Sequence, residues 1–367
     1  MLRKAKPDKF FLSLVIILIV VGVATFISAS LGILPRSEKT FYGVLVSQLV
    51  LGLGLGFVGM YFTYRIDYQF WRKNAFWILL GSVLLTAAVF IPGLGRAHGG
   101  AQRWLDLGPI SFQPAELLKF GFIIYFAAWL SWAKHKVQDF KFGILPFAIL
   151  LSIIAFILLK QPDTKSFILI SFTGLCMLFV SGVRLKYILG MGALAVVLLG
   201  TVVFFTPYLQ KRVQTFIDPS QDARGASYQI QQSMIAIGSG GFFGRGYGQS
   251  IQKFSYLPEP QGDSIFAVIG EEFGFVGSCI VILLYVIFIL KGISIAKNSP
   301  DSFSRLFVFG IVILIGAQSF LHIASVIGVF PLTGVPLVFM SHGGTSLALY
   351  LLAIGVVLQI SKFQTKK

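Results

Sequence analysis

Asp263 stands where a carboxylate could do chemistry. It follows the polar stretch Tyr256-Leu257-Pro258-Glu259-Pro260-Gln261-Gly262 and precedes an apolar run that begins at Ile265. Ionisable groups at membrane depth are costly and mark functional positions by default. An acid where a polar loop meets a hydrophobic helix suits a substrate with a polar head and a lipid tail. The competing structural role is an N-cap, because aspartate accepts from the free N–H groups of a helix start and is favoured by the positive end of its dipole. Glu271 and Glu272 follow two turns further in. At roughly 100° per residue only one of them shares a face with Asp263, and that one is Glu271. Two unpaired buried carboxylates would be expensive, so at least one is expected to meet a cation or hold a proton.

Other polar groups recur on the same side. Glu116 and Lys119 are three apart and share a helix face, either as a structural ion pair or as a cation held ready for a pyrophosphate. Gln161-Pro162-Asp163 fills a very short turn between two apolar runs, which brings a further acid to that side. Lys211, Arg212, Arg224, Arg245 and Lys253 outnumber the acids of the long polar segment, as suits an anionic, phosphate-bearing ligand or a basic loop resting on lipid headgroups. His98, His135, His322 and His342 stand apart, with no HxxxH or CxxC spacing, so no metal site is expected. The glycine-rich runs lack the GxxxxGK[ST] pattern, and no Ser/His/Asp set is evident. Cys176 and Cys279 fall in apolar runs and read as small core residues.

The elements that must carry these groups are hydrophobic helices. The 367 residues are 56% hydrophobic and 12% charged, where a soluble domain is about 25% charged. Apolar runs long enough to cross a bilayer recur throughout: Phe10 to Ser30, Phe41 to Phe62, Phe76 to Ile91, Ala115 to Trp132, Gly143 to Leu159, Ser166 to Ser181, Leu185 to Thr206, Ile265 to Leu290, Phe303 to Ile327 and Thr345 to Ile360. The expected fold is an all-α polytopic membrane protein of about ten spans, one domain over residues 1–367. The first run follows a basic start but is too long for a cleaved signal and reads as a retained anchor.

The net charge of +16 does not point to nucleic acid, because the cations sit in alternate connections. Arg3, Lys4, Lys6 and Lys9; Arg65, Arg72 and Lys73; Lys134, Lys136 and Lys141; Arg184 and Lys186; Lys291, Lys297 and Arg305; and Lys362, Lys366 and Lys367 mark one side. The positive-inside rule makes that side cytoplasmic, with both termini, and places the 207–264 loop between the seventh and eighth spans outside. Within that loop, Gln229, Gln231 and Gln232 punctuate the apolar stretch Tyr228 to Ile237 as in a short interfacial helix. Gly238-Ser239-Gly240-Gly241 should end it. Two further outside segments are unusually structured, Pro92 to Glu116 and Phe330 to Ser346. No internal repeat is visible, which counts mildly against an inverted-repeat transporter.

In order along the chain, Arg103-Trp104-Leu105-Asp106-Leu107-Gly108, Phe112-Gln113-Pro114-Ala115-Glu116-Leu117-Leu118-Lys119, Gln161-Pro162-Asp163, Tyr228-Gln229-Ile230 to Gly241, Leu257-Pro258-Glu259 to Glu272, and Pro331-Leu332-Thr333-Gly334 to Gly344 form a recognisable set. The chain resembles the SEDS family of membrane peptidoglycan polymerases, the FtsW/RodA group, over nearly its whole length. Gln252-Lys253-Phe254-Ser255-Tyr256-Leu257-Pro258 and Gly270-Glu271-Glu272 look more like the division-associated FtsW branch. Three departures stand out. Gln261-Gly262-Asp263-Ser264 replaces the usual His-Thr-Asp-Phe; Lys165-Ser166 stands where Gly-Thr is usual; His342 stands where Tyr is common.

The resemblance implies a bacterial plasma-membrane glycosyltransferase that polymerises lipid II into β-1,4-linked glycan, at the division septum if FtsW-like. Asp263 is implied as general base. Arg103, Glu116, Lys119, Gln161, Asp163, Arg212, Gln232, Lys253, Glu271, Ser341 and His342 are implied as candidate substrate contacts. It also implies a class B penicillin-binding protein as transpeptidase partner. No cofactor is assigned, although a divalent cation such as Mg2+ or Mn2+ is one way to offset the leaving diphosphate's charge. The rival readings are a lipid II flippase and an inactive division scaffold, the latter suggested by the altered neighbours of Asp263.

Overall fold

The computed structural model describes residues 6–35, 37–98, 101–106, 111–218 and 226–363. Arg3, Lys4, Leu107, Gly108, Arg224, Lys366 and Lys367, singled out above, lie outside the described residues.

Apolar runs with every backbone group satisfied internally become helices in lipid. The spans are α1 Lys9–Ser30, α2 Glu38–Arg65, α3 Ala75–Ala88, α4 Pro114–Ala133, α5 Ile144–Lys160, α6 Thr164–Ser181 and α7 Leu185–Phe205. After the loop helices α8 Pro207–Ile217 and α9 Ala226–Ser239 come α10 Ile265–Lys297, α11 Ser302–Val326 and α12 Gly344–Ser361. Eight of the spans are long and apolar enough to cross a membrane, and α3 and α5 are shorter. Each coincides with one of the ten apolar runs, so the chain is a multi-pass helical membrane protein. Polar punctuation sets several boundaries. Asp8 caps α1 by accepting from Phe11 N–H at 2.9 Å, Asp301 and Ser304 form a capping box on α11, and Gly182 ends α6 in the left-handed region.

Helices α4, α11 and α12 are the most enclosed, whereas α7 has no buried residue and leans chiefly on α6 and α8. The two ends of the bundle differ. At one end Asp8 pairs with Lys291 at 2.6 Å, and its N–H donates to Ser361 Oγ at 3.0 Å, so α1, α10 and α12 meet there among the basic connections. At the other end Ser341 Oγ donates to the Gly262 carbonyl at 2.9 Å and Gln113 Nε2 donates to Asp163 at 3.0 Å. Asp263 is at this second, less basic end.

Four features depart from the sequence reading. Part of the Pro92 to Glu116 segment is a small antiparallel sheet, β1 Gly95–His98, β2 Ala101–Asp106 and β3 Ser111–Phe112 in the order β1-β2-β3, with Leu105 paired to both Gly95 and Phe112. Two glycines separate β1 from β2 in sequence, a hairpin signal that the glycine-rich reading passed over. Residues Ser47–Gly54 of α2 are π-helical, and the Gln48 side chain they carry holds the segment before α12. Helix α10 breaks at Gly274, which has φ +67° and ψ −162°. Finally, α9 buries one face in the bundle and leaves Met234 and Ile235 exposed on the other. It runs longer than Tyr228 to Ile237, buries Ile230, Ser233 and Ala236, and packs along the first half of α10.

Candidate active site

The turn before α10 is built by its own backbone and clamped from outside. Glu259, with φ +46°, offers its carbonyl to the N–H groups of Gly262 and Ser264 at 3.0 and 3.2 Å. From the segment before α12, His342 N–H donates to the Gln261 carbonyl at 2.7 Å and Ser341 Oγ to the Gly262 carbonyl. Ser341 Oγ in turn accepts from Leu337 N–H at 2.9 Å. Gln48 ties the segment to α2: its Nε2 donates to the Ser341 carbonyl at 3.1 Å and its Oε1 accepts from Gly343 N–H at 2.9 Å. The carbonyls of the two residues before Asp263 are thus held by His342 and Ser341.

Asp263 is not the cap of α10. That position is Ser264, which makes no side-chain capping bond; its Oγ donates to the Pro258 carbonyl at 2.8 Å and accepts from Gln229 Nε2 at 3.0 Å. The Asp263 side chain is half-buried, and among the described residues its carboxylate takes part in no hydrogen bond or ion pair. Its neighbour is Gly334, with φ +63°, where a Cβ would lie 3.0 Å from Asp263 Oδ2. Glycine suits both the backbone conformation and the close approach. The Gly334 carbonyl accepts from Lys165 Nζ at 2.6 Å, and the Leu332 carbonyl from Arg212 Nη1 at 2.9 Å. His322 Nδ1 lies 2.7 Å from the Val335 carbonyl on the same segment. A proton acceptor therefore sits against a backbone strap held by two cations. Burial pushes the His342 imidazole below its ordinary value, so it is neutral at pH 7, stacked on Phe26 with ring centroids 6.1 Å apart.

Most of the other candidates make contacts within the protein. Asp163 is 0% exposed; it accepts from Gln113 and, at 2.8 Å, from Ser166 Oγ, capping α6. Gln161 Nε2 donates to the Thr86 carbonyl at 2.6 Å, and Arg103 donates to the carbonyls of Gln161, at 3.1 Å, and Pro162. This trio binds the β-sheet and α3 to the turn between α5 and α6. Lys119 meets Glu116 at 2.9 Å, Gln318 at 2.8 Å and Tyr350 at 3.1 Å, while Ser346 Oγ donates to Glu116 at 2.8 Å. That cluster lies within the bundle, separated from Ser341 by a cavity of ≈ 10 Å³, room for about one water. Gln232 is half-buried on α9.

Both inner glutamates find cations. Lys253 and Glu272, each 1% exposed, pair at 2.7 Å, and Ser28 Oγ donates to both Glu272 oxygens at 2.6 and 2.8 Å. Glu271 accepts from Ser250 Oγ at 2.6 Å and Ile251 N–H at 3.0 Å, with Arg245 Nε at 3.5 Å. Lys253 and Glu271 thus fasten the loop to α10 and α1 and do not reach Asp263. Sequence reasoning missed Gln48, the contact of Gly334 with Asp263 and the direction of Lys165; Gly334 left a signal as part of the Pro331-Leu332-Thr333-Gly334 motif, and Lys165 as a departure from the usual Gly-Thr. Among the described residues no three His, Cys, Asp or Glu side chains converge.

Comparison with known proteins agrees with this architecture. A family profile described as "Cell cycle protein", covering FtsW, RodA and SpoVE, matches residues 8–366. A probable peptidoglycan glycosyltransferase FtsW of Geobacter sulfurreducens is 39% identical over 96% of this chain and 95% of its own length. The stage V sporulation protein E of Bacillus subtilis is 34% identical over 98% of each. Among solved structures, a chain of a peptidoglycan synthase complex superposes with a TM-score of 0.80 at 27% identity, over 98% of this chain and 99% of that one. The rod shape determining protein RodA of Thermus thermophilus does so with a TM-score of 0.71 at 26% identity, over 98% of both chains. The chain belongs to the FtsW/RodA/SpoVE family of cell cycle proteins.

Proposed function

We propose that the chain is a peptidoglycan glycosyltransferase that joins lipid II units into β-1,4-linked glycan strands, with Asp263 as general base. The single observation that carries this reading is the Asp263 carboxylate, half-buried and making no hydrogen bond or ion pair among the described residues, at the less basic end of the bundle. A base needs an available lone pair within reach of the proton it removes. Asp263 takes the proton of the acceptor sugar's 4-hydroxyl while that oxygen attacks the anomeric carbon of the lipid-linked donor. The bond from that carbon to the diphosphate oxygen breaks, the electron pair leaves with the diphosphate, and one displacement turns an α-linked donor into a β-linked product. Well-placed bases contribute about 10²–10⁴-fold. Ser341 and His342 act as positioning residues, through the carbonyls of Gly262 and Gln261. Arg212 holds the strap behind Asp263.

The whole 1–367 chain works as one membrane unit in the bacterial plasma membrane, with Asp263 facing outward. The named FtsW relatives support a septal role. The synthase-complex neighbour, described in terms of polymerisation and crosslinking, supports a penicillin-binding protein partner that supplies the crosslinking. Purified protein given fluorescent lipid II tests the reading. Glycan ladders are the expected product; transbilayer movement of lipid without ladders would replace the enzyme by a flippase, and neither would leave a scaffold.

A further inference from the structure

Lys165 is unexplained by the helix it stands on. A cation in the first turn of α6 opposes the helix dipole, and it does not pair with the nearby Asp163, whose carboxylate is taken by Gln113 and Ser166. Its ammonium instead crosses to the Gly334 carbonyl at 2.6 Å. The group is half-buried and meets no carboxylate among the described residues. An ammonium has three donors, and the described residues occupy one. Gly334 packs against Asp263 Oδ2, so covalent geometry keeps Lys165 Nζ within about 10 Å of that oxygen. Other cations of the candidate set end on protein groups: Lys119 on Glu116, Lys253 on Glu272, and Arg103 on the Gln161 and Pro162 carbonyls.

We infer that Lys165 is the contact for the lipid-linked diphosphate, its two remaining N–H groups donating to phosphate oxygens while the Gly334 carbonyl holds the amine beside the base. This rests on the polymerase reading and assigns its leaving-group site. As the glycosidic bond forms and the sugar–diphosphate bond breaks, negative charge grows on the departing oxygen. A fixed ammonium stabilises that charge more than the ground state. A compact point charge suits phosphate.

The test uses the full chain in nanodiscs. Affinities for a polyprenyl diphosphate and the matching monophosphate are measured on an Asp263→Asn background, with and without Lys165→Met or Lys165→Arg. Lys165→Met should weaken diphosphate binding about tenfold, the size of one charge-assisted hydrogen bond, and leave the monophosphate nearly unchanged. Lys165→Arg should retain most of the preference. Unchanged diphosphate affinity in Lys165→Met overturns the inference, and so does an equal loss for both lipids, which would mean that the lysine only braces Gly334. Should the lysine-dependent preference appear in a protein that builds no glycan, this contact stands and the polymerase reading falls.

Discussion

Asparagine at position 263 keeps the size and polarity of the side chain and removes its ability to accept a proton. Because that carboxylate makes no hydrogen bond or ion pair among the described residues, Asp263→Asn should leave melting temperature nearly unchanged while polymerisation falls by about 10²-fold or more. Ladder formation and thermal unfolding, measured on the same preparation, separate the two effects. A variant that polymerises normally would remove the assignment. His342 predicts a pH dependence. Its folded pKa is lowered by burial, so below about 6.5 the unfolded chain binds more protons and stability falls as pH is lowered. Above that value the penalty is absent. His342→Tyr should flatten the fall between pH 7 and pH 5.5, and identical slopes for the two proteins would show that the imidazole does not titrate on unfolding. At this level the sequence was legible where chemistry depends on neighbours in the chain. An acid between a polar loop and an apolar run declares itself, but Lys165 meeting Gly334 could not be read, because 169 positions separate them.

Helix α10 is where local rules and tertiary structure part. The sequence showed one apolar run from Ile265, and the cost of two buried carboxylates required at least one to meet a cation or hold a proton; both meet cations. It could not show that the helix breaks at Gly274 and that the loop enters the gap. There, Arg245 and Gly246 N–H groups donate to the carbonyls of Glu271 and Glu272 at 3.0 Å each, and Phe275 and Val276 N–H groups donate to Gly241 and Phe242 at 2.9 and 3.1 Å. Irregular backbone at membrane depth persists only when its polar groups are met in this way. Two consequences follow for stability. Gly274→Ala forces an L residue into φ +67°, ψ −162° and should cost about 1–3 kcal/mol. Lys253→Met strands the Glu272 carboxylate and should cost about 3–5 kcal/mol, with Lys253→Met/Glu272→Met recovering much of the loss. Thermal unfolding in detergent reads all three. A single Lys253→Met as stable as the parent would show that Glu272 takes up a proton at no cost.

The proposed reaction depends on which compartment the Asp263 end faces. The helices pass back and forth between two ends, and the basic connections around Lys73, Lys134, Lys186, Lys291 and Lys362 all fall at the end where Asp8 meets Lys291. This asymmetry was the most legible property of the whole molecule, because the translocation machinery reads it from sequence too. The small sheet and the course of α9 were less so: the glycine pair between β1 and β2 is a short signal inside a glycine-rich stretch, and α9 is placed by packing along α10. The orientation can be measured with single cysteines in a background where Cys176 and Cys279 are alanine. Gln214 is exposed on the loop helix α8, and Gln138 is exposed in a connection at the basic end. A membrane-impermeant maleimide applied to intact spheroplasts should label Gln214→Cys at once and Gln138→Cys only after permeabilisation. The opposite pattern would place Asp263 in the cytoplasm, out of reach of a sugar acceptor outside the membrane, and the glycan-joining mechanism would fail even if the carboxylate proved essential.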